Sequence, residues 1–296
     1  MAFLKRLIEV DKETHIWLSE KYAEGLVGMF HGVKRRRTPG EIMVDDTLVE
    51  DPEDVSRFRS AVGALLYIAG DRPDLQFHTK ELAGRLQKPT IGAMATLRQV
   101  IGYLVGTSDI HAKMTGRDPS RSFREQAQGV SPGPQYENAK EHWLLEVATG
   151  SDWNGSKQAR ASTSCGSIFI GGNWIYSYSR MQKCVTLSST EAEYIALVSG
   201  GSEGLLVKAV LQHLTRETVD LKVYSDNTSC VAVAQKALAT SNILMAGCFG
   251  CNNAKEEIWS CDAWTRSPTL QIWAQRHYQV VVFVSCSTGW IFQRLG

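Results

Sequence analysis

The sequence predicts an α/β protein, with a mixed sheet and flanking helices preceded by a small, mostly helical domain. Three observations predict it. Apolar residues recur at helical spacing between 57 and 107. The pattern dissolves into polar, Gly- and Pro-rich sequence between 108 and 140. From Trp143 onward, β-prone runs alternate with helical ones. At 296 residues the chain is long enough for two cores of ordinary size. The expected organisation is a helical region over 1–115, a linker over 116–140, a second domain over 141–240 and a divergent, disordered tail over 241–296.

The formal net charge is +1, so whole-chain electrostatics give no reason to bind nucleic acid, and any such binding must come from local patches. Seven Cys, odd in number and scattered, do not resemble the framework of a small secreted protein. They point to a reducing interior, cytoplasmic or nuclear. "MAFLKRLIEV" carries no long apolar segment, so no signal peptide is expected. Residues 237–254 are uncharged but too rich in Asn, Ser, Thr and Gly to span a bilayer, and no membrane partner is expected.

At the start of the chain, Phe3, Leu4, Leu7, Ile8, Ile16 and Trp17 are mixed with charges, which suits short strands or one surface helix. "VKRRRTPG" then places Lys34, Arg35, Arg36 and Arg37 in a row, ahead of an acidic stretch reaching Asp54. Such a run is either a solvated loop or a phosphate contact. Val62, Leu65, Leu66 and Ala69 share a stripe of a first helix. Asp71 and Pro73 open a second, because a first turn does not need the missing proline N–H. Met94, Leu97, Ile101 and Leu104 mark a third, stopped near Gly106.

Beyond the linker, "WLLEVATGSDW" reads as a strand ending in a turn. "TSCGSIFI" and "NWIYSYS", separated by Gly171-Gly172, read as a hairpin. Trp174, Tyr176 and Tyr178 alternate along it, as packing residues or, less simply, as a base-stacking surface. A helix containing Glu193 follows, interrupted by Gly200-Gly201 and resumed through Leu205, Leu206, Val210 and Leu214. "LKVYSDN" is a strand and "TSCVAVAQKAL" begins another helix, giving the order β-β-β-α-β-α. After about residue 240 no periodicity is visible. Cys248, Cys251, Cys261 and His277 there are spaced too irregularly for a recognisable structural zinc site.

The carboxylates carry the chemistry. Ser188 and Glu191, or Thr190 and Glu193, fit a capping box. Glu193 differs from Glu191 because Ala196 and Leu197 share its helix face, which should turn to the sheet. A carboxylate there is costly unless it meets a cation or a metal. Asp226 ends a strand, where ligands gather in open α/β sheets, although an Asp-Asn pair is also a turn signal. Acids from the first strand, the helix and the fourth strand could bind two Mg²⁺ ions about 3.5–4 Å apart, the spacing used in phosphodiester hydrolysis.

"GSDWNGSKQARASTSCGSIFIGGNWIYSYSRMQKCVTLSSTEAEYIAL" followed by "VYSDN" resembles the ribonuclease H domain at the end of Ty1/copia-type retrotransposon polyproteins. "FRSAVGALLYIAGDRPDLQFHTKELAGRLQ" and "TLRQVIGYLVGT" resemble the segment joining the polymerase core to that domain. The likeness covers roughly residues 1–238, with the motifs in the family's order, and the polymerase's own Y-x-D-D motif is absent. It implies a ribonuclease H-like fold, hydrolysis of the RNA strand of an RNA–DNA hybrid at two Mg²⁺ ions, and an upstream polymerase part as partner. By motif, Glu193 matches the helix glutamate and Asp226 the fourth-strand aspartate. The family writes the first-strand turn with two Asp, as in S-D-A-D-W, and this chain reads "TGSDW": the expected first ligand is Gly150, and Asp152 matches the second Asp.

Asp152 is a candidate ligand beside Glu193 and Asp226 only if the turn rearranges, because residues two apart on a strand stand about 6.6 Å apart. That is large against metal–oxygen distances of about 2.0–2.1 Å. Asp262 is the only Asp after residue 240, and nothing around it fits the fourth ligand. Weak or absent hydrolysis is expected. The alternatives are a catalytically inactive nucleic-acid-binding module and a non-functional transposon remnant.

Overall fold

A computed structural model describes residues 2–3, 6–10, 14–18, 20–108, 110–114, 118–123, 142–156, 160–240, 279–286 and 289–294. The chain divides into two compact units, Met1–Thr115 and Gly116–Gly296.

The first unit has an antiparallel sheet of β1 (Ala2–Phe3), β2 (Arg6–Val10), β3 (Thr14–Leu18) and β4 (Ala112–Met114), in that order. Its helices are α1 (Glu20–Gly28), α2 (Pro52–Ile68), α3 (Gln76–Ala83) and α4 (Ile91–Gly106). Asp51 caps α2 by accepting from the Glu53 N–H at 3.1 Å, with Pro52 in the first turn. Phe58, Val62, Leu65 and Ile68 of α2 and Leu97, Ile101 and Leu104 of α4 form the core. Leu66, expected on that stripe, is 50% exposed, because the helix buries positions 58, 61, 62, 65 and 68. The second helix begins as a 3-10 turn at Pro73–Leu75 before α3.

Arg72 joins the turn after α2 to the end of α4. Its guanidinium donates to both Asp74 carboxylate oxygens (3.0 and 2.7 Å), to Thr107 O (3.1 Å) and to Thr107 Oγ1 (2.8 Å), and it lies over the Tyr103 ring. Both charged side chains are almost fully buried.

The segment 33–49 runs antiparallel along α4. Arg36 N–H donates to Gly102 O (3.0 Å), Met43 N–H to Thr96 Oγ1 (2.9 Å), and the Ile91 N–H of α4 to Thr47 O (2.8 Å). A Cβ at Gly102 would stand 2.4 Å from Lys34 O, and one at Gly106 2.0 Å from Arg36 O. Only glycine admits the backbone this closely.

The second unit is a six-stranded sheet in the order β10-β9-β8-β5-β6-β7. The strands are β5 (His142–Ser156), β6 (Ala161–Ile170), β7 (Asn173–Met181), β8 (Thr218–Ser225), β9 (Gln279–Cys286) and β10 (Gly289–Arg294). Only β5 and β8 pair in parallel, which makes the sheet mixed as expected. The hairpin turns at Gly171 and Gly172, with φ of 52° and 77°, the two positive values that a tight I′-type turn needs. Strands β9 and β10 were not legible in the sequence. Residues 241–278, with Cys248, Cys251, Cys261, Asp262 and His277, lie outside the described residues.

Helix α5 (Ser189–Thr215) runs uninterrupted through Gly200-Gly201, contrary to the expected break. It is long and apolar enough by length and composition to cross a membrane, but here it packs over the sheet. A Cβ at Gly200 would stand 2.2 Å from Thr149 Cγ2, and one at Gly204 2.9 Å from both Leu221 Cδ1 and Val147 Cγ2. The glycines that lower helix propensity are what let the helix lie against β5 and β8. Leu145 and Val147 of β5 join this core, together with Leu197 of α5 and Leu221 and Val223 of β8.

The other face of β5 is covered by residues 118–123, inside the stretch expected as a linker. Leu144 N–H donates to Pro119 O (2.8 Å), and Phe123 stacks on Phe169 with centroids 4.3 Å apart. Buried Glu146 holds this segment. It accepts from Phe123 N–H (2.7 Å), Ser122 Oγ (2.9 Å) and the Tyr224 hydroxyl. Trp174 does not share the face of Tyr176 and Tyr178, whose ring centroids lie 6.3 Å apart. A register shift between Ile168 and Phe169 puts Trp174 against the Phe123 cluster, while the Tyr178 hydroxyl lies 3.4 Å from where a Gly200 Cβ would be.

This packing can be tested at two buried charges. Arg72→Ala leaves a buried Asp74 carboxylate uncompensated and should cost about 3–5 kcal/mol, read as a lower denaturant midpoint for the first unit. Arg72→Lys, which loses the bidentate fork, should fall between the two. Burial pushes the Glu146 carboxyl above its ordinary range, against the lowering effect of its three donors. The native state therefore keeps a proton that the unfolded chain has released. This contribution to stability is complete below the ordinary glutamate range and is lost as pH rises through the raised native value. Unfolding free energy measured across that window should decline with pH in the parent chain and lack this decline in Glu146→Gln.

Candidate active site

The site lies where the end of β5, the first turn of α5 and the end of β8 meet. Helix α5 starts with the capping box read from the sequence: Glu191 N–H donates to Ser188 Oγ (3.1 Å), and Glu191 accepts from Leu187 N–H (2.7 Å). Glu191 is a cap. Two residues on, Glu193 is turned inward and buried, on the face that carries Ala196, Leu197 and Gly200. Its Oε1 accepts from Ser151 N–H at 2.9 Å. The helix glutamate therefore meets β5 one peptide away from position 150.

Asp226 follows the last residue of β8. Its neighbour Asn227 caps α6 (Thr228–Thr240) by accepting from Cys230 N–H at 2.8 Å. The Asp-Asn pair thus contains the turn signal in its second residue and leaves the first at the strand end. Cys230, the first-turn residue that this cap holds, is fully buried. Burial pushes its thiol up to about 12, and the negative charges of Glu193 and Asp226 both add to the rise. Thr149 of β5 pairs in parallel with Ser225 of β8, so Asp226 follows β8 beside the level of Gly150 on β5.

The first-strand corner is built differently. Gly150 brings no side chain, and its carbonyl accepts from the Cys165 thiol across the β5–β6 pair. Asp152 is committed to β6: its Oδ1 accepts from Thr163 N–H at 2.6 Å, opposite it in register. Just beyond, the pairing slips between Asp152 and Ser156, and Asn154 takes a left-handed conformation (φ 57°). The Asp152 carboxylate lies under Gly155, where a Cβ would stand 2.1 Å from Oδ2. Asp152 closes a bulge.

Several supporting residues were not singled out from the sequence. Gln182, buried, donates to Ser164 Oγ (2.8 Å) and to Ala192 O (2.9 Å), tying β6 to the first turn of α5. Ser162 and Thr186 share a hydroxyl hydrogen bond at 2.9 Å. No local pattern marks these residues, because their partners are distant in sequence. Cys230 carries the only signal available beforehand: a Cys within an apolar helical run is commonly buried.

Among the described residues, no three His, Cys, Asp or Glu side chains come together as a metal cluster would require. Glu193 reaches β5 one peptide from Gly150, and Asp226 follows the strand that pairs with β5 at Thr149.

The chain matches no protein-family model. It is similar to the retrovirus-related Pol polyprotein from transposon TNT 1-94 of Nicotiana tabacum, 28% identical over 235 residues, covering 75% of this chain and 16% of that protein. It is also similar to the retrovirus-related Pol polyprotein from transposon RE1 of Arabidopsis thaliana, 28% identical over 192 residues, covering 64% of this chain and 11% of that protein. An uncharacterized mitochondrial protein of Arabidopsis thaliana is 30% identical over 196 residues, covering 64% of this chain and 70% of that protein. The chain thus spans no more than 16% of the length of these two polyproteins. A helical unit followed by a mixed sheet under a glutamate-bearing helix, joined to these similarities, leads to one assignment: the chain belongs to the family of copia-type retrotransposon Pol polyproteins.

Proposed function

We propose that the second unit is a ribonuclease H-like domain whose hydrolysis of the RNA strand of RNA–DNA hybrids is impaired in this chain. Its partners on this reading are the hybrid and the polymerase part of a Pol polyprotein. One observation carries it: Glu193 reaches β5 at Ser151, beside a position 150 that has no carboxylate, while Asp226 follows β8 where that strand pairs with β5 at Thr149.

The residues present can still hold the frame of such a site. Glu193 fixes the start of α5 to the end of β5, Asn227 fixes the turn that carries Asp226, and Asp152 keeps the bulge closed against β6. In the family, Mg²⁺ ions supply the activated water and stabilise the leaving oxygen. The carboxylate set here is short of what that requires.

Gly150→Asp should restore Mg²⁺-dependent cutting of a labelled hybrid, while the parent chain stays at background. Strong cutting by the parent, abolished by Asp152→Ala, would overturn this assignment. Asp152→Ala in the Gly150→Asp background should instead lower thermal stability through loss of the 2.6 Å bond to Thr163 while retaining cutting, measured by melting and assay on one preparation.

A further inference from the structure

The basic run Lys34–Arg37 is not an unanchored loop. Its backbone is seated on the last two turns of α4 by the Arg36–Gly102 hydrogen bond and by the close approaches at Gly102 and Gly106. All four side chains are exposed, and among the described residues none of them takes part in an ion pair or a side-chain hydrogen bond. The Arg36 stem lies over Gly102, with Cγ 3.3 Å from where a Cβ would be.

The segment is polarised along the helix. Asp45 lies at the N-terminal end of α4, where its backbone would meet a Gly92 Cβ at 2.5 Å, and the four cations lie at the C-terminal end. This arrangement matches the helix dipole at both ends. One or two cations satisfy a helix C-terminus, and four consecutive ones exceed that need. Lys34–Arg36 have no regular secondary structure and Arg37 lies in a bend, so four charges are grouped on one short, anchored segment. The chain as a whole carries a net charge of only +1, so this group is a local feature.

We propose that Lys34–Arg37, held against α4, is a contact surface for the phosphate backbone of a nucleic-acid duplex. This rests on the reading that the chain takes an RNA–DNA hybrid and assigns part of that binding to the first unit, outside the carboxylate site. Recognition is by charge on the backbone, without base readout.

The test is binding of the full chain to a short RNA–DNA hybrid across a range of salt concentrations. In the quadruple variant Lys34→Gln, Arg35→Gln, Arg36→Gln, Arg37→Gln, the slope of log affinity against log salt should flatten by about 0.9 for each phosphate that is no longer neutralised, equally for hybrids of different sequence. Lys88→Gln, an exposed cation toward the other end of α4, should change the slope by less than the amount expected for a single phosphate. A quadruple variant that melts like the parent and binds with unchanged slope overturns the proposal. So does an equal loss per charge from Lys88→Gln, or a polyglutamate peptide that binds the parent as tightly as the hybrid does. If the parent itself binds no hybrid, the nucleic-acid reading fails. If it binds and the quadruple variant binds equally, only this assignment fails.

Discussion

The second unit depends on how closely α5 can lie on its sheet. Gly200 and Gly204 remove the two side chains that would hold the helix away from Thr149, Val147 and Leu221. Interiors are packed to crystal-like density, so a helix displaced by one methyl group repacks its neighbours. Glu193 lies seven residues before Gly200 on the same face, and its contact with Ser151 exists only at that separation. The chemistry at the end of β5 is therefore set two turns away, by residues that have no side chain.

The first unit meets a similar requirement by different means. Its glycines admit an irregular chain segment instead of a sheet, and its turn is fixed by a buried ion pair. Arg72 and Asp74 carry a desolvation cost that their bidentate geometry and the Thr107 acceptors offset. What the pair fixes is register: the chain leaving α2 is tied to the last turn of α4 and to no other place.

Much of this was legible in the sequence. The mixed sheet, the hairpin at Gly171-Gly172, the capping box at Ser188 and Glu191 and the inward aspect of Glu193 all come from local patterns of spacing. The failures share a cause. Gly200-Gly201 read as a helix break because propensity is local, whereas the reason for those glycines is the sheet beneath them. Trp174 and Tyr178 read as one face because alternation assumes no register shift. The stretch around Phe123 read as linker because its partners, Glu146 and Phe169, lie more than twenty residues on. The roles of Gln182 and Cys230 are likewise set by partners on other elements.

Catalytic acids gathered in one corner repel one another, and a folded protein bears that strain in return for activity. On the ribonuclease H-like reading proposed here, Gly150 relieves that strain, while Glu193 pins a helix and Asp152 closes a bulge. On that reading, erosion of chemistry and erosion of architecture are uncoupled, and a lineage can lose its reaction long before it loses its shape.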